Sequence, residues 1–152
     1  MPHAQPDLVE TTRGLIALMQ DPHATVATLA PHLGRETDFD GDVAVPNYDF
    51  APADPRFQSI SLGMDGAPSG KTVPYILRLT LADHAALHLH DLRAFGPWHM
   101  LPIRFEGPPT VEFKFDTPHQ KCRVVLDVQL YSLPGKADPR VMELMILRYT
   151  EL

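Results

Sequence analysis

The sequence predicts an α+β domain, and three observations carry that prediction. Apolar residues recur at helical spacing over the first part of the chain. Beyond residue 56 they alternate with period two. Sixteen prolines in 152 residues, about twice average usage, divide the chain into short elements and disfavour a long helical bundle. The expected architecture is an N-terminal helical hairpin packed on an antiparallel sheet of about five strands, with one short helix inserted before the last three strands. As a single domain, residues 1–34 form the hairpin, 35–55 an acidic loop and 56–152 the sheet region.

In chain order, Asp7–Gln20 reads as an amphipathic helix. Asp7 is its N-cap, Glu10 stands in capping-box position, and Leu8, Thr12, Leu15 and Met19 form one stripe with Ile16 beside it. Thr25–Leu33 is a second helix, strained by Pro31 and stopped by Gly34. Phe57–Met64 and Tyr75–Leu81 alternate as a hairpin pair, with Ile60, Leu62, Leu77 and Leu79 inward. Residues 82–95 admit two readings. A single helix Asp83–Phe95 sets Leu87 almost opposite Leu89. A turn, a short strand Ala86–His90 and a helix Asp91–Phe95 put Leu87, Leu89, Leu92 and Phe95 inward, and this reading is favoured. Gly96-Pro97 ends the element. Val111–Asp116 and Lys121–Tyr131 alternate around the loop Thr117–Gln120. Val141–Thr150 is apolar on both faces and therefore belongs at the centre of the sheet. The expected core is Leu15, Ile16, Leu29, Leu62, Leu77, Leu79, Leu92, Phe95, Phe113, Val124, Leu126, Val128, Leu144 and Ile146.

Formal net charge is −6, and its distribution is uneven. Glu36, Asp38, Asp40, Asp42, Asp49 and Asp54 fall between residues 36 and 55 with no Lys or Arg among them, while the rest of the chain carries equal numbers of acids and bases. Nucleic acid and anionic membrane are disfavoured as partners, since each requires a basic face. One cysteine excludes an internal disulfide framework and fits a reducing compartment. The first ten residues, MPHAQPDLVE, lack the basic and apolar regions of a signal peptide, so a cytoplasmic location is expected.

Motifs are incomplete wherever they suggest chemistry. Gly66–Gly70 before Lys71-Thr72 has three residues between its glycines, one of them Pro68, where a phosphate loop needs four residues and a following helix. Asp38-Phe39-Asp40-Gly41-Asp42 places its glycine wrongly for a calcium loop and lacks the terminal Glu. His84, His88, His90, His99, His119 and Cys122 are candidate metal ligands for a small metal-dependent enzyme, although surface histidines on a sheet are the commoner explanation. Such an enzyme needs at least three of them to converge. A Cys122 nucleophile with His119 as base is opposed by the apolar pattern around Cys122, and no Gly-x-Ser-x-Gly elbow exists.

The leading expectation is a non-enzymatic protein-binding module without a cofactor. Glu36, Asp38, Asp40, Asp42 and Asp49 would steer a basic protein, in the manner of a cognate inhibitor or immunity protein. Phe39, Tyr48 and Phe50 would supply desolvated contacts. A ligand-binding or structural subunit of a homodimer is a further alternative.

Overall fold

Eight strands rather than about five make up the sheet, so the expected strand number was wrong while the α+β class stands. The computed structural model describes residues 7–40, 46–66, 72–102, 107–115 and 122–150. Its helices are α1 (Leu8–Gln20) and α2 (Val26–Leu33), with a 3-10 helix at Leu89–Phe95. The strands are β1 (Gly34–Asp40), β2 (Asn47–Pro52), β3 (Phe57–Gly66), β4 (Thr72–Leu81), β5 (His99–Met100), β6 (Thr110–Phe115), β7 (Cys122–Leu130) and β8 (Val141–Thr150). Their order across the sheet is β1-β2-β3-β4-β8-β7-β6-β5, with every neighbouring pair antiparallel.

Both helix starts follow the sequence reading. The Asp7 carboxylate accepts from the Glu10 N–H at 2.8 Å. Thr25 caps α2 by a reciprocal exchange with Thr28. Pro31 is accommodated inside the last turn of α2. The two helices do not act as one hairpin layer, however. α1 rests on β7 and β8, whereas α2 lies against β1 and β2. Each buries its own stripe: Leu15, Ile16 and Met19 from α1, Leu29 and Leu33 from α2. These join Leu62, Leu77, Leu79, Leu126, Leu144 and Ile146 in one cluster on a single sheet face. Every residue expected in the core is buried there.

β8 lies between β4 and β7, as its two apolar faces require. The ambiguous stretch resolves to neither reading in full. A turn precedes one isolated bridge, His88 to Arg140, and the 3-10 helix begins at Leu89 rather than at Asp91. Leu87, Leu89, Leu92 and Phe95 are nevertheless all buried, and Gly96 ends the helix at φ +94°. The Thr117–Gln120 loop lies outside the described residues.

One polar clamp ties α1 to the sheet. Arg56, at the entrance to β3, donates to Asp54 at 2.6 Å and to the Thr11 hydroxyl of α1 at 3.0 Å. That hydrogen bond, opposed in part by desolvation, holds the Asp54 carboxyl below its ordinary range. Arg56→Ala is expected to cost about 1–2 kcal/mol in urea unfolding, since it removes a charge-assisted bond between mostly shielded groups. An unchanged midpoint would show that the clamp contributes nothing.

Candidate functional site

The acidic segment, expected as a long loop, is largely a β-hairpin, and this is the second correction to the sequence reading. β1 and β2 pair from Gly34↔Pro52 to Asp40↔Asn47, and β1 forms one outer edge of the sheet. Gly34 makes the turn from α2 into β1 possible. Its φ of +137° is a glycine conformation, and an added Cβ would stand 2.0 Å from the Ala51 carbonyl oxygen. Every residue of β1 after Gly34 is exposed. A bulge at Thr37 shifts the register, so that Asp38 stands directly opposite Asp49 and Phe39 opposite Tyr48.

Glu36, Asp38, Asp40 and Asp49 are all exposed and share this edge. Asp38 accepts from the Phe39 N–H at 2.9 Å, and Asn47 donates to Asp49 at 3.1 Å. The Phe39 ring stacks on Tyr48 with centroids 4.4 Å apart and is still 48% exposed. Phe50 is 4% exposed and belongs to the core, so it is no contact residue for a partner. Asp42 lies outside the described residues.

The hairpin begins a row of residues, polar except for Met145, that crosses the sheet on the face away from the core. The pairing register sets Asp38, Asp49, Ser61, Arg78, Met145, Asp127, Glu112 and His99 side by side, from β1 to β5. Directly opposed residues of antiparallel strands share a face, so these side chains form one line. At its far end two carboxylates oppose each other. The Asp127 Oδ1 is shielded from water with no hydrogen-bond partner, and Glu112 is held by His99 Nε2 at 3.4 Å. Burial, then the hydrogen bond and charge of Glu112, push the Asp127 carboxyl up to about 7. Beside the pair opens a cleft of about 550 Å3, walled by Leu101, Pro102, Pro108, Gln129 and Met145. A carboxyl raised to about 7 can take up or release a proton near neutrality. No hydroxyl or thiol nucleophile with a partner base accompanies it among the described lining residues; the Thr110 hydroxyl is donated to the Pro108 carbonyl.

No family model, curated protein or solved structure matches this chain.

The described histidines do not assemble. His84 is exposed in the turn before the 3-10 helix, His88 caps that helix, His90 is exposed on its first turn, and His99 lies on β5 beside Glu112. Among the described residues no group of three or more His, Cys, Asp or Glu could hold a metal. His119 and the Cys122 side chain lie outside the described residues. Among the described residues, no helix is long and apolar enough to cross a membrane.

Glu112 and Asp127 were missed as a pair. Each reads from the sequence as an ordinary outward residue of an alternating strand. Only the register of β6 against β7 makes them neighbours, and the sequence of the intervening loop does not state that register.

Proposed function

We propose that this chain is a protein-binding module that docks a basic partner along the β1–β2 edge. Its most concrete form is an inhibitor or immunity-type protein that covers a positively charged surface. The supporting observation is the edge strand itself: six consecutive exposed residues, Arg35–Asp40, carry Glu36, Asp38 and Asp40, with Asp49 exposed on the neighbouring strand. Charged edge strands also serve simply to prevent sheet-to-sheet aggregation. Phe39 favours docking over that bland role. A protective edge has no use for an aromatic ring left 48% exposed, whereas an interface needs a desolvated anchor set among steering charges.

The division of labour predicts two distinct kinetic defects for the partner recovered from the native host. Replacing Glu36, Asp38 and Asp49 by Gln or Asn should slow association by about tenfold at low salt and leave dissociation nearly unchanged. Phe39→Ala should instead hasten dissociation by roughly tenfold, corresponding to about 1.4 kcal/mol. Surface plasmon resonance separates the two. If both variants bind that partner as the wild type does, the hairpin is not its docking surface.

A further inference from the structure

A second surface, at the connection between β7 and β8, carries side chains of the opposite charge. Between the 3-10 helix, Pro97-Trp98 and the 134–139 loop lies an open groove of about 430 Å3. Trp98, Pro97, Pro134 and Pro139 wall it, and Arg93 and Lys136 stand on its rim. Arg140 follows Pro139 in the chain, its guanidinium over the Tyr131 ring at 5.5 Å from the centroid. Asp138 also lines the groove and accepts from the His90 N–H at 3.0 Å, Asp91 accepts from the His88 N–H at 2.9 Å, and Arg93 donates to the His90 carbonyl at 3.0 Å. Among the described residues, neither Arg93 nor Lys136 has an ion-pair partner. Trp98, 39% exposed, is the large hydrophobic that both lines the groove and remains open to solvent among the described residues. An exposed aromatic ring beside cationic side chains is the kind of anchor that an interface uses.

Its chemistry calls for an acidic segment that presents an aromatic side chain. The chain carries one. The β1–β2 hairpin offers Glu36 on the same face as the exposed Phe39 ring, with Asp38 and Asp49 on the other face of the same edge. Hairpin and groove do not meet within one molecule: no residue of β1 or β2 is among those that line the groove. We propose that the groove receives the β1–β2 hairpin of a second copy of this chain, giving a head-to-tail contact. The inference rests on the reading of the hairpin as a docking element, and it adds that the hairpin is occupied by self when the partner is absent. A contact of this kind is heterologous, so it builds rings or open chains rather than an isologous dimer. Built from a hairpin and a groove, it is small and weak, and the net charge of −6 on each copy works against it.

Sedimentation velocity on the full chain, at concentrations up to about 1 mM and at two salt levels, tests it with two charge-reversed variants. One is Arg93→Glu with Lys136→Glu; the other is Glu36→Lys with Asp38→Lys. Wild type should show a sedimentation coefficient that rises with concentration, and each variant alone should remain monomeric. An equimolar mixture of the two should associate again, because each supplies the complementary surface the other lacks. The groove variant should still bind the basic partner with wild-type kinetics, which separates failure of this proposal from failure of the hairpin reading. A wild type that stays monomeric throughout, or a groove variant that associates as the wild type does, overturns it.

Discussion

Gly34→Ala is expected to lower stability by about 3 kcal/mol and to weaken partner binding with it. The loss has two sources. An alanine at φ +137° occupies backbone space that side-chain-bearing residues rarely enter, at a cost of order 1–3 kcal/mol. Its Cβ would also stand 2.0 Å from the Ala51 carbonyl oxygen and 2.8 Å from the Ala53 nitrogen. Both obstacles are backbone, so neither can swing aside as a long side chain would. β1 must separate from β2 at their first pair, Gly34↔Pro52, and the strand that carries Glu36, Asp38 and Phe39 loses its alignment. For a chain of this length the melting temperature should fall by about 6–12 °C. Gly14→Ala is the matching control, because a Cβ at Gly14 meets nothing within 4 Å and helix propensity improves. Equal melting temperatures for the two variants would mean that β1 does not pass through the junction described.

The second large effect is a dependence of stability on pH centred on Asp127. Its carboxyl lies at about 7 in the folded chain against an ordinary 3.8. Between those limits the folded state holds a proton that the unfolded state has released. The stability contribution is therefore complete below about pH 4 and is lost as pH rises through 7. The full displacement corresponds to about 4 kcal/mol, and partial solvent contact reduces the expected change to about 2 kcal/mol. Glu143, raised by burial against the attraction of Arg78, adds in the same direction. Urea unfolding of wild type should give a higher midpoint at pH 5 than at pH 8. Asp127→Asn keeps the shape of the side chain without its charge, so it should remove most of that slope and stabilise the chain at pH 8. A slope that survives the substitution would place the titrating group elsewhere.

The sequence was most readable where local signals and burial agree. Leu77, Leu79 and Leu81 alternate because one face of β4 is buried, and Gly96 stops its helix for the reason any left-handed glycine does. The three strands that went unrecognised lack those signals. β1 is exposed on both faces and so shows no alternation, β2 buries fully only Phe50, and β5 is two residues long. The hairpin was nonetheless located by charge, since an excess of carboxylates is visible without any knowledge of the backbone. Phe50 was misplaced because an aromatic in an acidic stretch reads as surface until pairing with Ile60 of β3 fixes it on the core side. Glu112 and Asp127 depended wholly on strand register, a long-range property.

The central claim is that β1 and β2 form the docking surface, and amide hydrogen exchange measured with and without the captured basic partner tests it most directly. Outer-edge amides of β1 have no strand partner in the free chain and should exchange fast. On binding, the account predicts slowed exchange confined to residues 35–40 and 47–50, with the amides around the Asp127 cleft unaffected. Protection appearing instead around that cleft or the Trp98 groove, with residues 35–40 unchanged, would contradict it.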